Sequence, residues 1–415
     1  MQDTAANRSN NSTPRKVFSN FHRRTCLFFL LFPVAFNGLA IDTQQLNPGF
    51  YPALQIGYAW LDNVLRSEKR EKADTMFQAR PMLHWKAGTV VYDLNVRYEG
   101  DYGVYRVLDE QDYMDHAMSI GFGFHPTEKM GLELSDRYKI GHDQPGVSGT
   151  QVFAPPKPNR WHDNHFRAQF TYGRRIATAQ LQLAYEEISR RFQNNQREFS
   201  DRNRHIGTAT WLYHVLPKTW LVTEFQYQIN DFQMNKTFDQ DFDQWHVFQG
   251  ASWEISAVTQ GEILLGYIRN TPKDQRFFKP FSGFGARVSI NWQPRPYSRV
   301  TLRAKRMPQL SSTASTLFLA NRIGLTLQHE PTERIRIRTS AGYEKDDYTF
   351  NKFGPKRRDR FLNFGFEIDY AMLHWLNLGL RYRHDTRDSS LRLSDYAANI
   401  ISFHVQILPE YARNP

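Results

Sequence analysis

Five consecutive residues, Arg334-Ile335-Arg336-Ile337-Arg338, alternate a guanidinium with a branched apolar side chain. In an extended strand successive side chains point to opposite faces, so this spacing stacks three cations on one side and two isoleucines on the other. Arginine is charged at every working pH and grips carboxylates in bidentate fashion, so such a ladder suits the holding or passage of anions. The pattern recurs nearby. Arg299, Arg303 and Lys305 share one face near 298–307, Arg322 lies on one face near 316–328, and Arg381 and Arg383 share a face near 374–384, beside Glu367 and Asp369 on the preceding segment. Two readings of this basic wall stand. It is a selectivity surface lining a pore, or its cations pair with acids such as Glu367 and Asp369 and brace the wall.

Other chemistry is thinner. There is no G-x-S-x-G, no H-E-x-x-H and no phosphate-binding Walker loop, so the sequence points away from an enzyme and calls for no cofactor. Asp239, Asp241 and Asp243 open like a calcium loop, but Gln244 and Gly250 occupy the places where Gly and Glu are needed, and no resident metal is expected. His84, His165, His246 and His404 fall on the same face as the arginines. Lone histidines rarely carry nucleophilic chemistry without an adjacent, oriented partner. Trp211, Tyr213 and Trp375 read as facing the same interior, where two readings stand: they stack on sugar rings, or they fill space or, after a one-residue slip in register, belong to an interfacial girdle, and the second is favoured.

The elements that would position these residues are strands. After residue 40 the chain alternates apolar with polar in segments of about ten residues, as in Tyr92 to Glu99; tilted strands of ~9–11 residues cross a bilayer. Eighteen such segments run from 53–61 to 396–408, with sixteen as the alternative count. Short links fall at Lys86 to Gly88, Pro126 to Lys129, Gly173-Arg174, Leu216 to Lys218, Ser256 to Thr259, Gln293 to Tyr297, His329 to Glu333 and Ala371 to Leu373. Each joins an even segment to the next odd one, and the intervening connections are longer. The fold expected is all-β, a closed transmembrane antiparallel barrel with short turns and both termini on the periplasmic side and a polar interior. The longest connection, 141–161, contains Pro155-Pro156-Lys157-Pro158 and reads as a lid or constriction. Three residues resist the pattern. Asp136 and Asn321 land on the lipid side, which predicts a bulge or an error of assigned register at each, and Pro81 interrupts a strand where a bulge or strand end would accommodate it.

Residues 1–40 read as a cleaved signal peptide. Arg8, Arg15, Lys16, Arg23 and Arg24 precede an apolar run from Cys26 to Phe36, and Gly38-Leu39-Ala40 supplies the small residues of a cleavage site. Residues 41–415 then form the barrel. Cleavage would remove the chain's only cysteine, so the exported part would hold no disulfide. The formal charge of +11 comes without a basic run or recognition helix, and nucleic acid is not an expected partner. A mean hydropathy of -0.62 suits a barrel with polar loops as well as it suits a soluble chain. Aromatics at 14% are enough for two interfacial girdles.

Gly57-Tyr58, Asp62-Asn63-Val64, Pro81, and the strand Tyr92 to Tyr98 leading to Tyr102 and Tyr105 together resemble the exopolysaccharide-biosynthesis outer-membrane β-barrels of the EpsL and VpsM type. The last residues, Pro409 to Pro415, depart from the usual barrel ending, which closes on an aromatic. The resemblance implies an outer-membrane channel in a Gram-negative bacterium that exports a polysaccharide chain. It also implies a periplasmic polysaccharide-export partner of the Wza-like kind, with membrane lipid and lipopolysaccharide around the wall. It carries no catalytic residues. A general diffusion porin for small anions or sugars is the alternative.

Overall fold

The computed structural model describes residues 47–408 except 148, 150–154, 175–176, 235–238, 257, 312–316, 349–350 and 354–355. The expected leader and the closing residues 409–415 lie outside the described residues. Eighteen strands follow one another: β1 (Gly49–Leu61), β2 (Asp74–Gly88), β3 (Tyr92–Tyr105), β4 (Tyr113–Thr127), β5 (Met130–His142), β6 (Arg160–Tyr172), β7 (Ala179–Phe192), β8 (Arg202–Leu216) and β9 (Thr219–Phe232) form the first half. The second half is β10 (Phe242–Ser256), β11 (Thr259–Pro272), β12 (Phe281–Arg295), β13 (Ser298–Leu310), β14 (Leu317–Thr332), β15 (Ile335–Tyr348), β16 (Arg357–Leu373), β17 (Leu376–Ser389) and β18 (Tyr396–Ile407). Each pairs antiparallel with its sequence neighbours, and β1 pairs with both β2 and β18, from Leu54 opposite Ile407 to Leu61 opposite Ile400. The sheet therefore closes and leaves no strand edge unpaired, the condition for placing strands in hydrocarbon.

Alternation sets the two faces of the wall. In β1, Phe50, Ile56, Tyr58 and Trp60 are exposed while Tyr51, Ala53, Gln55 and Ala59 are buried. The same inversion holds for Phe77, Leu83 and Trp85 against Gln78, Arg80 and His84 in β2. Large apolar side chains outside and polar ones inside would be costly in water and are what a lipid-facing wall requires.

Among the described residues five of the even-to-odd connections are two-residue turns, at 128–129, 217–218, 296–297, 333–334 and 374–375. The register slips within the last residues beside every one of these turns. Bulges thus sit at the turns, where the extra residue lets a tight loop follow the twist of its strands. None occurs at Asp136 or Asn321. Both keep register with both neighbours and are satisfied sideways on the outer face: Asn164 donates to Asp136 at 3.5 Å, while Asn321 accepts from Arg306 and donates to the Lys345 carbonyl at 3.3 Å. Pro81 likewise needs no slip. It pairs with Leu54 of β1, and on the β3 side the ladder steps from Ala79–Tyr102 to Met82–Glu99, skipping Arg80 and Pro81. Gly100 lies in that gap, where a Cβ would come within 3.0 Å of the proline ring. Two expected turns also move: Lys86 to Gly88 belong to β2, with the turn at 89–91, and the link at Gly173-Arg174 runs on to 178.

The interior is not polar throughout. Val222, Phe248, Leu264, Ile268 and Met307 from β9, β10, β11 and β13 form a buried apolar cluster on the inward face. Phe248 lies over Gly266 and Gly285, where a Cβ would approach its ring to 2.4 and 2.7 Å. Bare backbone at those two positions makes room for the ring and lets the wall pack on itself.

Candidate functional site

The basic wall is largely neutralised by its own acids. Arg338 of β15 stands opposite Glu367 of β16 and binds it at 3.1 Å, and Arg381 of β17 binds the other oxygen of the same carboxylate. Arg336 reaches Glu330 at 2.9 Å, Arg322 reaches Glu344 at 2.6 Å, and Arg383 reaches Asp385 at 2.6 Å. Asp369 accepts from His404 Nε2 at 3.1 Å. Glu367, Asp369 and His404 bring three metal-ligand atoms within 4.8 Å of one another. Two guanidinium groups already hold Glu367, which opposes the approach of a further cation.

The remaining members differ. Arg299, Arg303 and Lys305 share the inward face of β13, and among the described residues no acid lies within ion-pair distance of them or of Arg334. Arg334 is not on the strand ladder; it sits in the turn after β14, exposed. The wall is therefore two surfaces, a paired one on β14–β18 and an unpaired stripe on β13. Paired side chains in a partly dehydrated wall stiffen it, whereas unpaired cations exposed to a lumen set its potential.

The feature that sequence reasoning saw only in outline is the path of the β5–β6 connection. Arg66 donates to the Pro145 carbonyl at 2.8 Å, and the Tyr396 hydroxyl donates to the Gly146 carbonyl at 3.0 Å. The Gly149 N–H then donates to the Tyr348 hydroxyl at 2.9 Å, and Ser311 Oγ donates to the Gly149 carbonyl at 3.0 Å. Tyr348 points inward from the end of β15, and Ser311 directly follows β13; in an eighteen-strand ring these lie half-way round from β5 and β6. His142 and Gly149 are seven Cα-to-Cα steps apart, at most ~25 Å of extended chain, so the segment crosses the mouth instead of following its rim. The return limb is tied at Pro156, whose carbonyl accepts from Gln111, and at Pro158, whose carbonyl accepts from Asn194. Gly146 and Gly149 adopt φ of 71° and 77°, left-handed conformations that glycine takes without strain and that allow the sharp changes of direction.

One charged post anchors this strap. Arg66, in the connection after β1, pairs with Asp385 at 2.9 Å and packs beside Tyr396. Burial works against its charge, but Tyr396 and Asp385 outweigh that and raise its pKa above the ordinary value. None of Arg66, Tyr348, Ser311 or Tyr396 carried a motif. The visible signals were two glycines ahead of a proline run.

Other expected interior residues divide. His165, His246 and His404 face inward, each against a carboxylate: Glu186 at 2.9 Å, Glu224 at 2.9 Å and Asp369. Trp211 and Tyr213 face outward and are 54% and 45% exposed, because β8 turns Ile206 and Leu212 inward; Trp375 lies in a turn. Trp211 and Tyr213 belong to the outer wall, in line with the girdle alternative, and the reading that stacks these aromatics on sugars inside the barrel is corrected. Asp239, Asp241 and Asp243 are engaged separately, with the Asp241 N–H, the Phe232 N–H and Lys273.

The fold resembles solved outer-membrane proteins only distantly. OpdO of Pseudomonas aeruginosa is 11% identical with a TM-score of 0.48, covering 87% of this chain and 97% of that one. OccAB3 of Acinetobacter baumannii is 11% identical with a TM-score of 0.45, covering 86% and 98%. The copper transporter OprC is 11% identical with a TM-score of 0.46; the match covers 85% of this chain and spans 64% of OprC's length. Among curated proteins none matches. The family model described as "Putative beta-barrel porin 2" matches residues 49–408, from the first residue of β1 to just past the end of β18, and the chain belongs to that porin family.

Proposed function

We propose that the protein is a passive outer-membrane channel for small polar and anionic solutes, with its short turns and both termini in the periplasm and its outer mouth narrowed by residues 143–149. The observation that carries this reading is the strap from β5 to Tyr348 and Ser311 inside a closed porin-family barrel. A polypeptide crossing the mouth limits the size of what enters, and the unpaired Arg299, Arg303 and Lys305 favour anions among solutes that fit. Export of a polysaccharide with a periplasmic Wza-like partner is the second reading, and it rests on the resemblance alone. A polymer would have to thread beside the strap and past the apolar cluster around Phe248, which offers sugars no hydrogen bonds.

The test is conductance in planar bilayers. Wild-type protein should give small, mildly anion-selective channels, and deletion of residues 146–158 should raise single-channel conductance severalfold. Absence of channels from both proteins, each shown to be folded by its heat-dependent gel mobility, would refute the proposal.

A further inference from the structure

On the outer face, one row of facing residues runs across five strands: Arg306 of β13 opposite Asn321 of β14, Asn321 opposite Lys345 of β15, Lys345 opposite Arg360 of β16, and Arg360 opposite Asp388 of β17. One step toward the short-turn end, the same face carries Ala304, Ile323, Tyr343 and Leu362, all apolar in character. The row therefore marks the place where the lipid-facing band gives way to charge, at the long-loop end. No other outward row on the described strands holds more than one Lys or Arg.

Like charges directly opposite one another on neighbouring strands, ~5 Å apart, repel and destabilise a sheet unless something neutralises them. Lys345 and Arg360 are so placed. Arg360 has Asp388 at 3.2 Å, more than half exposed, and Arg358, one step beyond, has only a loose contact with Asp347 at 3.8 Å. Arg306 is held by neutral groups, the Asn321 side chain and the Phe284 carbonyl. Among the described residues no acid lies within ion-pair distance of Lys345 or Arg306. The row thus keeps a surplus of positive charge beside lipid. It opens toward a pocket of about 330 Å³ lined by four cations, Arg358 and Arg360 among them, and by two acids, Asp347 and Asp388, so positive charge is in surplus there too.

We infer that this row and its pocket bind the phosphate groups of an anionic glycolipid headgroup in the leaflet at the long-loop end. Arginine matches phosphate oxygens bidentately, and lysine adds a point charge. A lipid whose chains lie against Ile323, Tyr343 and Leu362 delivers its headgroup to the row without further ordering. A free anion would have to be captured from water. The inference rests on the orientation given under the proposed function.

The test compares the full mature protein with Arg306→Gln/Lys345→Gln/Arg360→Gln, both purified in non-ionic detergent, by native mass spectrometry with bis-phosphorylated lipid A. The variant should retain about tenfold less of this lipid, the loss expected when charge-assisted hydrogen bonds are removed. Dephosphorylated lipid A should bind both proteins equally and weakly, and Lys345→Arg should retain the phosphorylated form. Equal retention of phosphorylated lipid A by wild type and triple variant overturns the inference. Displacement of the lipid by an equal concentration of inorganic phosphate also overturns it, in favour of a soluble anion. Planar-bilayer conductance of the triple variant should match wild type, so a failed channel assay with retained lipid selectivity sinks the channel reading alone.

Discussion

A single carboxylate, Glu367, takes two guanidinium groups, and that detail decides how the arginine ladder behaves. The spacing Arg334, Arg336, Arg338 announces a charged stripe, but pairing depends on which residue stands opposite on the next strand, and one sequence does not state that register. Glu367 lies opposite Arg338 on one side and Arg381 on the other. Arg338 and Glu367 therefore brace one another, whereas Arg299 and Arg303 are exposed on the inward face of β13 and Lys305, on the same face, is half-buried. Replacing Arg336 and Arg338 by Gln should lower unfolding stability in urea by about 3 kcal/mol, since it leaves a dehydrated carboxylate short of partners, and should shift the reversal potential little. Replacing Arg299, Arg303 and Lys305 by Gln should do the opposite, leaving stability near wild type and lowering anion preference in a salt gradient. If the first set moves the reversal potential more than the second, the division of the wall is wrong.

Strands were legible because side-chain alternation survives in a one-dimensional reading. All eighteen appear where the period of two places them, and most run a little longer than expected because pairing continues beyond the apolar band, as in β16 from Arg357 to Leu373. Turns were less legible. Lys86 to Gly88 look like a loop by composition yet pair with Asp93 to Asn95. Trp211 and Tyr213 were misassigned because an aromatic residue suits both faces of a barrel strand. Asp136 and Asn321 were expected to break register because their outward polar neighbours are distant in sequence. One turn carries a measurable cost: Lys218, in the two-residue link between β8 and β9, has φ of 66°. A left-handed conformation costs a non-glycine residue roughly 1–2 kcal/mol. Lys218→Gly should raise the urea midpoint by an amount worth up to about 1 kcal/mol, after glycine's own entropy is counted; a lower midpoint would show that the lysine side chain contributes more than its backbone costs.

At the level of the whole barrel, the long connections crowd one end, and the short turns with the start of β1 and the end of β18 occupy the other. Epitopes inserted near Asn195 or Lys352 should be labelled on intact cells, and an epitope in residues 89–91 should be labelled only after the envelope is opened. Labelling of the 89–91 turn on intact cells would reverse the orientation and place the strap on the periplasmic side.

The seam where Leu54 meets Ile407 has a further consequence, for time. Neighbouring strands are near in sequence and each hairpin can form as soon as its second half is available, but the seam joins residues from opposite ends of the chain. Such distant contacts are the slow ones in folding. Until β18 has been synthesised, exported and delivered, β1 has one bare edge, and every intermediate on the way carries an outward apolar face with no lipid yet against it. Closure is thus the last event and the one that commits the molecule. The interval before it is when the chain is open to aggregation or proteolysis, and when a helper that shields strand edges would decide the yield.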